Sequence, residues 1–271
     1  MPSFLLLLVL VIFPVAFTYG TSMLRWYLGT GTIVFNWFGN YIRLVQDANF
    51  YWGLARSAYY TVACVSIEMG LGLLISYWLY RYKRFGQYYI IPIIIPMFMP
   101  PVSVANMFRL MMDPELGLFN WILENVGLPT SKWSAGESTA MLSAVLVDVW
   151  QWTPFVILVL YAAFQAVPIE QVENARVDGA SQWFIFRHVF LGLIKPAIVI
   201  AFLFRLVDTL RIFDYVYTLT SGGPGDVTQV LNYYIFRVAF EQFSIGYASA
   251  LSIIWFWIVY YLSLRILIYL K

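Results

Sequence analysis

V-P-I-E-Q-V-E-N-A-R-V-D-G-A-S-Q-W-F-I-F-R-H-V-F-L-G-L-I-K-P, Val167 to Pro196, is a polar island between two long apolar runs. Pro168 suits the first turn of a helix, and Glu170 and Glu173 stand where carboxylates favour a helix N-terminus. Val172, Ala175, Gly179, Trp183 and Phe186 recur at three- or four-residue steps, which gives a short helix one apolar face. Gly179 and Ala180 interrupt that helix with small residues, permitting a bend and the close approach of another backbone. Ser181 can cap a second short helix before Lys195-Pro196 leads into the next apolar run. A bent, amphipathic, two-piece element beside a membrane is suited to docking a partner. Nothing in it suggests catalysis.

The composition sets the surroundings. Of 271 residues, 62% are hydrophobic and 11% charged, too apolar for a soluble globular domain. A net charge of +2, with basic residues scattered, does not suggest nucleic acid. Cys64 is alone, so no internal disulfide can form, and with His188 the single histidine a His/Cys metal site is not expected. Twelve prolines and seventeen glycines in so apolar a chain fit helices that bend inside a protein-lined membrane interior. The expectation is one all-α, polytopic transmembrane domain over 1–271.

Residues 2–19 are long and apolar enough to cross a bilayer. A secretory signal is disfavoured, because no basic n-region precedes the run and no A-x-A-like cleavage site follows it. Residues 20–50 are polar and aromatic, with Trp26, Tyr27, Trp37, Phe38 and Tyr41 suited to a membrane–water interface. The second span is expected over 57–80 and carries Glu68. The third is expected over 88–112, where Pro92, Pro96, Pro100 and Pro101 cannot sit in a straight helix. The fourth, 138–165, carries Asp148, and the fifth is placed at 197–219. T-S-G-G-P-G (Thr220 to Gly225) is a tight turn, and the sixth span runs over 246–270. Arg81, Lys83 and Arg84 mark one inner loop; Arg176, Arg187 and Lys195 mark the other. Six spans with both termini inside make the loops alternate, although Arg25, Arg43, Lys132 and Arg237 dilute the bias outside.

Inside the membrane, Arg205, Asp208, Arg211 and Asp214 recur every three residues on the fifth span. Two readings stand side by side. The row forms structural pairs, Arg205 with Asp208 and Arg211 with Asp214, or it lines a path and hydrogen-bonds a polar substrate. Glu68 is read as a buried carboxylate facing a partner in the bundle, Cys64 as a packing residue, and His188 as a surface or packing residue. No G-x-x-x-x-G-K-[ST] pattern occurs, so this chain holds no phosphate cradle of that kind for ATP. No nucleophile–base or metal constellation is evident, so no catalytic or metal residues are expected.

Residues 167–196 resemble the cytoplasmic coupling loop of ABC-importer permeases. In the carbohydrate branch that loop reads roughly E-A-A-x-x-D-G-A, then F-x-x-I-x-L-P and a further Pro. Glu173, Ala175, Asp178, Gly179, Ala180, Phe186, Val189, Leu191 and Pro196 match it; Asn174 replaces the first Ala, and Gly192 stands where Pro is usual. F-G-N-Y-I-R-L (Phe38 to Leu44), D-P-E-L-G-L-F-N-W-I-L (Asp113 to Leu123), T-S-G-G-P-G-D-V-T-Q (Thr220 to Gln229) and A-F-E-Q-F-S-I-G-Y-A-S-A-L-S (Ala239 to Ser252) also resemble stretches of this family. The last two are typical of its MalF-type half.

The resemblance implies a transmembrane subunit of a binding-protein-dependent ABC importer for a sugar, oligosaccharide or polyol, in a bacterial or archaeal cell membrane. Its implied partners are a MalG-type permease subunit, an ATP-binding cassette dimer that holds ATP and Mg, an extracytoplasmic solute-binding protein and membrane lipid. Glu173, Ala175, Asp178, Gly179 and Ala180 would couple to the ATPase. The family's substrate-facing positions fall on Met97, Pro101, Gln151, Trp152, Phe155, Arg205, Thr209 and Ile212, with Asp208 added from the charged row. The resemblance also implies basic residues ahead of the first span, so the chain's start is expected to be incomplete. The rival from another class is an ion-coupled secondary transporter using Glu68, Asp148, Asp208 and Asp214, although no internal repeat supports it.

Overall fold

A computed structural model describes residues 8–270, without the side chains of residues 8, 83–87, 269 and 270. The chain is mostly helical, but not wholly so. After α1 (Phe13–Ser22), preceded by a π turn over Leu8–Ile12, come β1 (Leu24–Tyr27) and β2 (Thr32–Phe35). They pair antiparallel, Leu24 against Phe35 and Tyr27 against Thr32. This hairpin corrects the all-α expectation. L-R-W-Y and T-I-V-F are β-branched and aromatic, and Gly31 supplies a positive φ (63°) in the turn between them.

Two helices follow the hairpin: α2 (Gly39–Val45), then the long α3 (Ala48–Arg81), whose N-terminus Asp47 caps by accepting from the Asn49 amide. Next is α4 (Lys83–Ile94), running into a 3₁₀ turn over Ile95–Phe98, and then α5 (Pro101–Met111). The proline run breaks the segment as expected, although Pro92 itself sits within α4 and the break falls beyond Phe98. The chain turns by 95° between the two halves, so 88–112 is not one straight helix. The segment that follows is α6 (Leu118–Asn125), and then α7 (Ala140–Gln165). Beyond α8 (Ile169–Val177) lies α9 (Gln182–Leu210), which winds as a π-helix over Ile185–Phe190. The chain ends with α10 (Leu231–Phe236), extended by a π turn to Glu241, and α11 (Ile245–Leu270).

Two expected boundaries move. The segment placed at 197–219 begins much earlier, because the helix runs unbroken from Gln182 through Pro196; it ends at Leu210, and 216–220 is a separate π turn. A π-wound stretch before a proline is one way that a helix absorbs the missing donor. Of 2–19, residues 2–7 lie outside the described residues, and Val9–Ser22 is an apolar helix shorter than a span. Among the described residues four helices (α3, α7, α9 and α11) are long and apolar enough to cross a membrane. Counting the bent pair as one span makes five.

The bundle centres on α3 and α7. Gly72 lets them touch, since a Cβ there would lie 2.4 Å from Val156 Cγ1. Ser76 adds a hydrogen bond to the Ile157 carbonyl at 3.0 Å. α9 lies across both helices and completes a buried centre. One core (Tyr60, Cys64, Val104, Phe108, Met112, Tyr215) fills the middle, and another (Leu160, Phe164, Val172, Ile185, Phe190) fills the end nearest α8. A third, with Phe50, Tyr234, Tyr247 and Trp255, sits by the hairpin. Outside these cores large apolar side chains face outward, on α11 Phe256, Trp257, Tyr260, Tyr261 and Leu267 among them. In water that would be an aggregation liability; in a bilayer it is the ordinary lipid-facing surface. This is a multi-pass membrane protein.

Candidate functional site

The polar centre of the bundle is built around Arg205, whose side chain is fully buried. α9 delivers it between α3 and α7. Its Nε donates to Glu68 Oε2 at 2.6 Å and its Nη2 to Glu68 Oε1 at 2.8 Å. Nη2 also reaches Asp148 Oδ1 at 2.9 Å, and Nη1 bonds the Asp208 carboxylate. Tyr60 donates to the other Asp148 oxygen at 2.9 Å. A planar guanidinium with five donors is the one side chain that can hold three carboxylates in a fixed fork. Three spans are thereby tied through one cation.

A second chain of bonds satisfies the broken helix. The backbone bend at 99–100 leaves the Met99 carbonyl without a helical donor, and Gln151 Nε2 supplies one at 2.7 Å. Gln151 Oε1 in turn accepts from the Tyr215 hydroxyl at 2.6 Å, and that hydroxyl accepts from Trp152 Nε1 at 3.1 Å. The Trp152 ring lies under the guanidinium, 5.1 Å from Arg205 Cζ to the ring centroid. Such breaks survive in a membrane protein where neighbouring protein satisfies the freed carbonyls.

The expected path residues therefore separate into two groups. Arg205 and Gln151 are buried and fully engaged, and the Thr209 hydroxyl turns back to the Arg205 carbonyl at 2.8 Å. Trp152, Phe155, Met97 and Ile212 are half-buried, and the Asp208 side chain remains 45% exposed despite its bond to Arg205. Phe155 packs on Phe204 with ring centroids 4.7 Å apart, apart from the Trp152 group. Pro101 begins α5 on the far side of the bend. Of the expected ion pairs, Arg205 with Asp208 forms and Arg211 with Asp214 does not; both of the latter are exposed. Cys64, Glu68 and Asp148 offer ligand atoms within 4.8 Å of one another, yet the positive charge among these carboxylates is the guanidinium.

Tyr60 and Tyr215 are not among the residues that the sequence marks for this site. For Tyr60 a signal exists: Tyr60, Cys64 and Glu68 recur at four-residue steps on one face of α3.

At the far end of the bundle, α8 presents Glu173 to solvent while Val172 is plugged into the core at 1% exposure. Asp178 and Gly179 are exposed and Ala180 half-buried. Gly179 takes φ +78° and closes the helix, with the Ala180 amide bonding the Ala175 carbonyl at 3.0 Å. A Cβ at Gly179 would meet no atom within 4 Å, so the glycine answers a backbone need within this chain. Ser181 caps α9 by accepting from the Phe184 amide at 3.2 Å. His188 stacks on Phe184 at 4.2 Å and is exposed.

At the opposite end, Gly246 approaches the hairpin so closely that a Cβ there would lie 1.9 Å from the Leu24 carbonyl oxygen. Thr228 and Arg237 tie down the T-S-G-G-P-G turn: Thr228 donates to the Gly223 carbonyl at 3.0 Å, and Arg237 bonds Asp226 at 2.7 Å and Gln229 at 2.6 Å.

The model of the family described as "Binding-protein-dependent transport system inner membrane component" matches residues 68–269. The trehalose/maltose transport system permease protein MalF of Thermococcus litoralis is 35% identical, covering 100% of this chain and 90% of that protein. The trehalose transport system permease protein SugA of Mycobacterium tuberculosis is 31% identical, covering 94% and 81%. A crystal structure of a bacterial ABC transporter involved in importing the acidic polysaccharide alginate contains a chain of the same fold. Its TM-score is 0.86 at 19% identity, over 100% of this chain and 92% of that one.

Proposed function

This chain belongs to the binding-protein-dependent transport system inner membrane component family, and we propose that it forms part of the pathway of a sugar ABC importer and is moved by partner ATPases through residues 167–196. It is a permease subunit. Substrate is handed over by a solute-binding protein, and the relatives named for trehalose and maltose support a sugar, oligosaccharide or polyol as cargo. A related MalG-type permease completes the pore, and an ATP-binding cassette pair carries ATP and Mg. Both termini and the 167–196 loop face the cytoplasm in this reading, which the basic residues flanking that loop support.

The observation that carries the mechanism is the build of the loop. Val172 anchors α8 in the core, Glu173 and Asp178 remain exposed, and from Ser181 the chain continues without a break into the helix bearing Arg205. A force applied at α8 by ATPase closure is thus delivered to α9 as a rigid body. α9 carries the Arg205 node, so the pore-lining faces of α3, α7 and α9 move together between outward and inward access.

Within the path, Trp152, Phe155, Met97, Ile212 and the free part of Asp208 meet the sugar, with Trp152 offering a stacking face. Arg205, Gln151, Thr209 and Pro101 hold that surface in place. Arg205 engages Glu68, Asp148 and Asp208, which supports ATP-driven transport over ion coupling through those carboxylates.

The test is uptake by the complete importer in proteoliposomes with the binding protein outside. Sugar accumulation should require ATP inside and survive an ionophore. Accumulation that collapses with the ionophore while ATP is held constant would reverse the reading.

A further inference from the structure

Beside the coupling loop lies a half-open cleft of about 390 Å³ between the end of α3, α8 and the start of α9. Tyr77, Tyr80 and Phe190 form its apolar wall, and Arg81, Arg176 and Gln182 its polar rim. No carboxylate lines it among the described residues. Arg81 spends one nitrogen on Gln182 Oε1 at 2.9 Å, which fixes the guanidinium across the cleft mouth. The Arg176 guanidinium makes no hydrogen bond or ion pair with another described residue, although Glu170 and Glu173 share its helix. Two cations thus line one aromatic-walled cleft that has no carboxylate among its described lining residues, which suits it to an anion.

The kind of anion follows from the place. Trp78 and Tyr82 flank Arg81 and are exposed, forming an aromatic belt of the kind found at the level of lipid headgroups. Arginines at such a level match phosphate with paired donors, and basic clefts between membrane helices take anionic headgroups. We propose that this cleft binds a phosphate group at the membrane surface, carried by an anionic lipid headgroup or as free phosphate, and that its occupancy braces α3 against α8. This goes beyond the transport reading and does not depend on the cargo.

The test is native mass spectrometry of the assembled importer, purified with phosphatidylglycerol or with phosphatidylcholine alone, with inorganic phosphate titrated into the second sample. Arg81→Gln/Arg176→Gln is compared with Lys132→Gln/Arg265→Gln, which removes two charges outside the cleft and the coupling segment. A phosphatidylglycerol adduct retained by wild type and control, and reduced about tenfold in the cleft variant, supports the site with lipid as its source. A phosphate adduct with the same dependence supports it with free phosphate as the source. Equal retention in both variants, or loss of the ATPase from the cleft variant with adducts unchanged, overturns the proposal. The second result would make the arginines a protein contact.

Discussion

Arg205 meets both oxygens of Glu68, at 2.6 and 2.8 Å, from a helix 137 residues further along the chain. With the bonds to Asp148 and Asp208 this pairing locks three helices at their centre. Arg205→Met strands the buried Glu68 and Asp148 carboxylates, and breaking such a buried group by removing one partner costs about 3–5 kcal/mol. The variant is expected to lose thermal stability in detergent or to fail to accumulate. Asp208→Asn touches the half-exposed arm and should cost under about 1 kcal/mol. Melting of the purified subunit in detergent checks both. Equal effects would mean that Arg205 is not the node.

The bend at 99–100 depends on Gln151. Gln151→Leu leaves the Met99 carbonyl and the Tyr215 hydroxyl short of partners, at a cost of about 1–3 kcal/mol. Tyr215→Phe, which keeps the bond to Met99, should cost less. The order of the two in a melting series is the check.

Gly246→Ala should displace the hairpin, because the added methyl meets the Leu24 carbonyl oxygen. Gly192→Ala on α9 has free space and removes a flexible residue from a helix, so it should be neutral or stabilising by about 0.5–1 kcal/mol. Limited proteolysis in the 24–35 region distinguishes the two variants.

How much of this could be read in advance depended on the range of each interaction. The proline run announced a break in 88–112, because a missing donor and a ring clash are local facts about Pro92, Pro96, Pro100 and Pro101. The bent loop was equally plain in Gly179 and Ser181. Partners were harder. Glu68 could be read as needing one, but its partner lay 137 residues away, and two acids nearer Arg205 in sequence competed for the same cation. The spacing of Arg205, Asp208, Arg211 and Asp214 admits two ion pairs or a path lining; the helix ends at Leu210, so Arg211 and Asp214 leave its surface and do not pair. Helix ends at 182 and 210, and the hairpin after α1, were obscured because apolar composition marks a span without marking its limits.

Transport specificity should follow exposure. Trp152→Ala and Phe155→Ala are expected to raise KM for sugar several-fold with the protein still folded, whereas Thr209→Val should leave KM unchanged because its hydroxyl is already bonded to its own helix. Uptake at varied sugar concentration gives the comparison. A KM effect from Thr209→Val alone would move the path onto the other face of α9.

Copurification from native membranes of the unaltered chain and of Glu173→Lys and Asp178→Lys tests the central claim most directly. The account predicts that the unaltered chain brings down an ATPase and a second permease, and that the variants lose chiefly the ATPase. If the unaltered chain emerges alone and still catalyses uptake without ATP, the importer mechanism is wrong.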